Sequence, residues 1–494
     1  MKGTTAMKLR KRSAEPEVRT GRPEDEKMPF GQLVVYGLQH ILTMYGGVIA
    51  PPLIVGSAAK LSPTDIALLV TAGLFVSGLA TLLQTLGIGR FGARLPIVQG
   101  ISFASVSTMT AIASQDGLRP VFGSIIVAGL IGLVLSSFFA QLVRLFPPVV
   151  TGTIITIIGL SLMPVAFTWA MGGTGSKSLG SMANIGIAGL TLLIILVISR
   201  LFQGAISRLS ILIGIVLGTG FALIVGKADF SKVGTGRIAS LPPILHFGSP
   251  TFQIGAIVSM TIVILVIMTE TTADILAIGE IVDTKVDARR VGDGLRADML
   301  STTVSPLLGS FPCSAFAQNV GLVALTKIKS RYVVAMGGVI LFLLGLLPVV
   351  GRVVAAIPFP VLGGAGIVLF GSVTASGIKT LSRVDFGDNL NLVIVATAIG
   401  IGIIPIASPK FWNAFPTQFG TVMQSGISAA AVVAVLLNLL FNEIRAGNRK
   451  GASVFAAVPD ERGNAPEGSV PPQPSSGPTS ESARHDQPQV ARSD

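Results

Sequence analysis

From Leu33 to Leu440 the chain returns repeatedly to apolar windows long enough to cross a bilayer. Hydrocarbon offers no partner for a bare N–H or C=O, so such windows must fold as helices that satisfy their own backbone. Charge is correspondingly scarce: 12% of residues are Asp, Glu, Lys or Arg and half are hydrophobic. A soluble domain carries about 25% charged residues. The 58 glycines suit helices that approach one another closely in lipid. The expected fold class is an all-α polytopic membrane protein.

About fourteen spans can be drawn at roughly 20 residues each. An even number places both tails on one side. About fourteen loop Lys and Arg fall on that side against about eight on the other, which marks it as the cytoplasm. The net charge of +12 is thus a matter of loop retention, and no nucleic-acid partner is expected. Lys8 to Arg12 (KLRKR) lead into mixed charges, not an apolar segment, so no signal peptide is expected. That tail is expected to lie disordered near anionic lipid. The stretch after Gly447, rich in Pro, Ser, Gly and charge, is likewise expected to be disordered. The single cysteine, Cys313, excludes a disulfide within the chain, and three histidines beside it speak against a multi-ligand His/Cys metal site. The chain has no GxxxxGK[ST] run, which speaks against ATP-driven transport by this chain alone.

One segment, Phe311 to Arg331, breaks the pattern. Pro312 lacks an N–H and fixes its own φ, so a helix cannot run through it undisturbed. Ser314, Gln318 and Asn319 follow, and the apolar run Val320 to Leu325 is too short to span. Non-helical backbone at membrane depth is tolerated only where it is buried in protein or lines a wet cavity, so the break points to a binding site. Cys313 to Ala317 are expected to be extended and to lead into a half-helix near Gln318, its free N–H groups facing a ligand. A weaker copy exists upstream. Phe103-Ala104-Ser105 recurs 213 positions later as Phe316-Ala317-Gln318, and Pro148-Val149 with Gly152 and Gly159 recurs 212 positions later as Pro360-Val361 with Gly364 and Gly371. That offset moves seven spans along the chain. Seven is odd, so the second copy must sit upside down, the inverted repeat of secondary transporters. Gln99 to Ser107 then partners Pro312 to Asn319, and both spans 3 and 10 are broken.

Charges inside the spans carry information because a carboxylate in hydrocarbon is expensive. Glu270 and Asp274 lie within IVILVIMTETTADILAIGEIV, on one helix face at i, i+4. Glu280 falls nearer the interface, and Asp298 suits either an interfacial place or a proton relay. His40, after Gln39 in the first span, suits a helix-to-helix hydrogen bond or a proton shuttle. Cys313 reads as a small packing residue.

QNVGLVALTK, Gln318 to Lys327, resembles the signature of the nucleobase–ascorbate transporters, also called the nucleobase–cation symporter 2 family. Gln39-His40, ETTADILAIGE from Glu270 and GLRADML around Asp298 join it, and the resemblance covers Pro29 to Asn442. It implies a seven-plus-seven inverted repeat and a homodimer. It also implies a core, residues 31–145 (spans 1–4) and 252–350 (spans 8–11), that moves against a gate, residues 146–226 (spans 5–7) and 353–446 (spans 12–14). Residues 1–30 and 447–494 would be cytoplasmic tails. Carried over residue by residue, Glu270 resembles the carboxylate that accepts purine ring N–H groups, and Gln318 the amide that fixes the opposite edge. Phe103, Ala317 and Ser102 would complete the substrate site. Asn319, Asp298, Asp274 and His40 would organise it or carry the proton. Uracil-type relatives tend to have an acid where Gln318 stands, and several xanthine-type relatives carry Asn where Ser102 stands, a departure that favours urate.

The resemblance is strongest to bacterial xanthine/uric acid permeases. It implies a proton-coupled uptake symporter for uric acid and/or xanthine, working by elevator-type alternating access in the cell membrane, both termini cytoplasmic. No cofactor is implied beyond the coupling proton, for which sodium remains an alternative. Rival readings are a transporter of uracil or another purine, and an anion transporter or exchanger on the same architecture. No nucleophile–base pair or metal cluster supports an enzyme, and a channel has no need of two inverted broken segments.

Overall fold

The computed structural model describes residues 22–444 except 140–142, 174, 232 and 388, with backbone only at 144, 205 and 389. Lys8 to Arg12 and the stretch after Gly447 lie outside the described residues. The helices are α1 (Phe30–Ala58), α2 (Pro63–Leu86), α3 (Val106–Asp116), α4 (Leu118–Leu135), α5 (Pro148–Ala170), α6 (Met182–Leu201), α7 (Ser210–Ile224) and α8 (Ile254–Val282). They continue as α9 (Ala288–Val304), α10 (Ala317–Thr326), α11 (Arg331–Gly345), α12 (Pro348–Ala355), α13 (Phe359–Leu381), α14 (Asn389–Ala407), α15 (Thr417–Gln424) and α16 (Gly426–Asn438). Two three-residue strands, β1 (Gln99–Ile101) and β2 (Cys313–Ala315), precede α3 and α10.

Among the described residues nine helical stretches are long and apolar enough to cross a membrane. The other expected spans fall short for visible reasons. α11 and α12 bend by 79° at Leu346-Leu347, α7 is a shorter apolar helix, and α9 opens with Arg289, Arg290 and Asp293. The remaining two are the broken segments at β1 and β2. Span ends are set by ordinary capping: Ser62 accepts from the Asp65 N–H, Ser181 from Asn184 and Asp287 from Arg290. One break was not expected. Ser425 interrupts span 14 with extended backbone, and its Oγ accepts the Ser428 N–H to start α16 afresh.

β1 and β2 pair antiparallel, Gln99 opposite Ala315, Gly100 opposite Ser314 and Ile101 opposite Cys313. Ser102 N–H to Pro312 O (2.9 Å) and Phe316 N–H to Val98 O (3.1 Å) extend the ladder. A two-stranded ribbon is marginal even in water, and its open edges cannot be left bare in a bilayer. Side chains cover those edges here. The Thr81 hydroxyl on α2 accepts the Gln99 N–H (2.9 Å) and donates to its carbonyl (3.2 Å). Thr302 on α9 does the same for Cys313, at 3.1 and 3.4 Å. Thr271 on α8 accepts the Ala315 N–H (3.2 Å), and the Asn319 side-chain oxygen accepts the Val98 N–H (2.6 Å). Gly100 and Gly47 leave room for the Phe316 ring: a Cβ on either would come within 2.6 Å of it.

Against this ribbon pack α1, α2, α8 and α9, with α4 behind α8 and α9 and α11 behind α1 and α2. In a second group α13 lies along α5, with α6 on its other side and α14 and α16 against α5. Glycines set the α5–α13 distance, since a Cβ on Gly159 would collide with the Thr374 backbone and one on Gly377 with that of Thr156. At the amino end, Pro23–Glu26 is docked, where a free tail was expected. Glu24 is 1% exposed and accepts from Arg290 (2.6 Å) and Thr284 (3.1 Å), while Asp25 pairs with Arg331 (2.6 Å) and the Glu26 carbonyl accepts from Ser330 (2.5 Å). Arg290 also donates to the carbonyls of Ala93 and Arg94, and Arg331 to that of Thr85. This strap ties together the α2–β1, α8–α9 and α10–α11 connections.

Candidate functional site

A cavity of about 440 Å³ opens between the ends of the ribbon and the α5–α13 pair. The volume falls within the range of about 300–1,000 Å³ usual for small-molecule sites. Ser102 and Phe103 enter from behind β1, and Ala317 and Gln318 from the start of α10. Glu270, Ala273 and Asp274 enter from α8, Ile155 and Ile158 from α5, and Ser372, Ser376 and Thr380 from α13. All five residues expected to bind substrate, Glu270, Gln318, Phe103, Ala317 and Ser102, thus line one space with Asp274. The helix periodicity of α8 puts both carboxyls on the cavity face, one turn apart.

The lining has unmet polar valence. Glu270, Asp274 and Gln318 make no hydrogen bond or ion pair to any described residue, and among the described residues no Lys or Arg lines the cavity. No side chain caps α10, which leaves its first N–H groups open beside Gln318. Phe103 lines the cavity and packs against Phe370, with ring centroids 6.1 Å apart and planes at 73°. Flat apolar walls, two acceptor carboxyls, a carboxamide and bare N–H groups make a site for a planar ligand that presents several N–H and C=O groups along its rim.

Three of the expected residues stand behind the cavity wall. Asn319 is buried and spans the two broken segments: its oxygen holds the Val98 N–H, and its amide lies 2.8 Å from His40 Nδ1. With the amide as donor, that ring nitrogen is the acceptor and the histidine proton sits on Nε2. His40 is 3% exposed, and its contact with Asn319 joins α1 to α10. Asp298 is fully buried, accepts from the Thr271 hydroxyl (2.6 Å) and has Gln99 alongside without a closed hydrogen bond. One Thr271 hydroxyl therefore joins Asp298 to the backbone of β2. Glu280 is exposed and Cys313 is a free, fully buried thiol.

Two features escaped the residue-by-residue reading. Thr81, Thr271 and Thr302 clothe the ribbon edges, yet a threonine in an apolar helix carries no marker of such a task. Ser372, Ser376 and Thr380 present hydroxyls at four-residue spacing on the α13 face of the cavity, and that spacing was available in the sequence. The cavity lies toward the amino-terminal half of α5 and the carboxyl-terminal half of α13. At the other end the two helix groups meet in a seam of hydroxyls, with Thr108 Oγ1 2.6 Å from Ser425 Oγ and Ser428 Oγ donating to the Ser259 carbonyl (3.4 Å). A second chamber of about 280 Å³ shares Gln318 and Ser372 with the first and is walled by α1, α7, α10 and Arg208.

The profile of the Permease family Xan_ur_permease matches residues 31–411. The xanthine permease of Bacillus subtilis (strain 168) is 41% identical over 413 residues, 84% of this chain and 94% of that protein. The uric acid transporter UacT of Escherichia coli (strain K12) is 40% identical over 428 residues, 85% and 89% of the two chains. Among solved structures, the transmembrane domain of the cyanobacterial bicarbonate transporter BicA superposes with a TM-score of 0.55 at 15% identity, covering 83% of this chain and 98% of that one. The murine Solute Carrier 26 family member A9 anion transporter gives 0.59 at 13% identity, covering 84% and 69%. Those two likenesses speak to the fold alone. The chain is a multi-pass membrane permease and belongs to the Xan_ur_permease family.

Proposed function

We propose that this permease carries an oxidised purine, uric acid and/or xanthine, into the cell together with a proton. The observation that carries the reading is the pair of unpartnered groups, Glu270 and Gln318, on one cavity beside the open start of α10. An oxopurine fills both needs: its ring N–H groups meet the carboxylate, and its carbonyls meet the amide and the backbone N–H groups. Phe103 stacks on the ring plane, and Ser102 and Ala317 bound its edge. Xanthine and uric acid are the substrates that the names of the Bacillus subtilis and Escherichia coli relatives carry. A cavity with two carboxyls and, among the described residues, no lining cation suits an N–H-rich ligand better than a simple inorganic anion.

Proton coupling has a physical rationale. Moving a bare charge through hydrocarbon is costly, and a proton on the Glu270–Asp274–Asp298 group together with substrate closes the site electrically. Core spans 1–4 and 8–11 (31–145, 252–350) would carry the site past gate spans 5–7 and 12–14 (146–226, 353–446) as an elevator. With both termini cytoplasmic, the amino-terminal end of α5 and the carboxyl-terminal end of α13 face the cytoplasm, so a cavity toward those ends and a hydroxyl seam at the other fit the cytoplasm-facing stage. The family resemblance supports a homodimer.

The test is uptake of labelled urate and xanthine by cells stripped of their own purine permeases. Mutual competition and collapse on adding a protonophore are expected. Uptake that ignores the protonophore and follows sodium would replace the proton. No purine uptake would remove the substrate reading.

A further inference from the structure

The second chamber has the opposite electrical character from the first. Its walls are apolar residues of α1, α7, α10 and α13, and the hydroxyls among them are already committed. Thr43 donates to the Gln39 carbonyl (2.8 Å) and Ser372 to that of Leu369 (2.7 Å). Among the described residues the donors left are the Gln318 amide, which both chambers share, and Arg208, the one charged side chain of the described lining. Arg208 is half-buried and makes no hydrogen bond or ion pair to any described residue. A guanidinium held in an apolar recess without a carboxylate is an unfilled site for an anion with coplanar acceptors, because its fixed fork matches that geometry. The chamber's about 280 Å³ suits a small bicyclic molecule.

We propose that this chamber is an anteroom subsite that takes the oxopurine as its monoanion, with Arg208 on the deprotonated ring edge and Gln318 as the shared post between anteroom and central site. The inference rests on the purine reading and adds a selectivity to it. Urate is an anion at neutral pH, whereas xanthine is largely neutral at mildly acidic pH. Arg208 therefore favours urate, an advantage that the carboxyls of the central cavity, Glu270 and Asp274, do not give an anion.

The experiment is equilibrium binding of labelled urate and of labelled xanthine to the purified full-length protein, at a mildly acidic pH where only urate is charged. Wild type, Arg208→Gln, Arg208→Lys and Glu270→Gln are compared, each first checked for a monodisperse elution profile. Loss of one charge-assisted contact predicts about a tenfold fall in urate affinity for Arg208→Gln, with xanthine within about twofold of wild type and Arg208→Lys in between. An equal fall for both ligands, or none for either, overturns the anteroom. If Glu270→Gln leaves both affinities intact, the central-site reading has failed instead, whatever Arg208 does. Reconstitution into nanodiscs with and without anionic lipid separates the other source of an anion: an Arg208 effect seen only as lipid-dependent thermal stability, with urate binding unchanged, assigns the guanidinium to a phosphate headgroup and overturns the subsite.

Discussion

Thr271→Val is the sharpest probe of how the site is held. Valine keeps the shape of threonine and removes only the hydroxyl. That hydroxyl donates to Asp298 at 2.6 Å and accepts the Ala315 N–H at 3.2 Å. Both partners are buried, and the other Asp298 oxygen already lacks a partner. Each orphaned buried group costs about 1–3 kcal/mol, more for a charged one, so the change removes roughly 2–6 kcal/mol from the packing of β2 against α8. Ala315 is two residues from Ala317 and three from Gln318, so release of β2 moves the start of α10 in the cavity. If only about 1.4 kcal/mol of that loss appears in binding, affinity falls tenfold. The assay is urate and xanthine binding by the purified variant, with Thr271→Ser, which retains the hydroxyl, as control. Binding within twofold of wild type in Thr271→Val, at unchanged thermal stability, would refute the claim that this hydroxyl holds the broken segment.

A cysteine pair at Thr108 and Ser425, whose hydroxyl oxygens lie 2.6 Å apart, should form a disulfide under mild oxidant and stop uptake, with recovery on reduction. Cys313 is fully buried and should stay unreactive in the same experiment. Gly159→Val should force α5 from the Thr374 backbone and lower thermal stability by about 1–3 kcal/mol or abolish folded expression, whereas Gly186→Ala, where a Cβ meets nothing within 4 Å, should be silent in the same melting assay. Glu24→Ala leaves Arg290 without its buried carboxylate, a loss of about 3–5 kcal/mol where no water enters, read as a lower melting temperature and faster proteolysis at the α8–α9 connection.

What could be read in the chain beforehand was what is local or periodic. Pro312 and the polar residues after it announce a broken span by themselves, and Glu270 and Asp274 share a face because a helix puts i and i+4 together. An offset of an odd number of spans fixes the inversion. Pairing of Gln99 with Ala315 was anticipated only as a partnership of segments, since register depends on the threonine hydroxyls of three other helices. Glu24 and Arg290 are 266 positions apart, and nothing in an acidic stretch next to a basic tail tells which guanidinium it meets. The break at Ser425 escaped because serine is unremarkable in an apolar helix until Thr108 and α15 stand beside it.

The distribution of buried hydrogen bonds says which parts can move together. Thr81, Thr271 and Thr302 bind the ribbon to α2, α8 and α9, and Asn319 binds β1 to α10 and, through His40, to α1. Shifting either broken segment alone would open several of these at once, each left bare in a medium that offers no substitute. Between the two helix groups, by contrast, the described polar contacts are a few side-chain bonds, hydroxyl to hydroxyl, hydroxyl to carbonyl and the exposed Gln115–Gln424 amide pair (2.5 Å), beside the Phe103–Phe370 ring contact and the cavity. Those bonds can be exchanged for water at a net cost of about 0.5–1.5 kcal/mol each. Through Glu24, Asp25 and the Glu26 carbonyl, the strap from Pro23 to Glu26 joins connections of the first group to one another. A site carried whole by one body past another is the motion that breaks the fewest bonds, which is why the proposed elevator takes the ribbon, Glu270 and Gln318 together and leaves α5 and α13 behind.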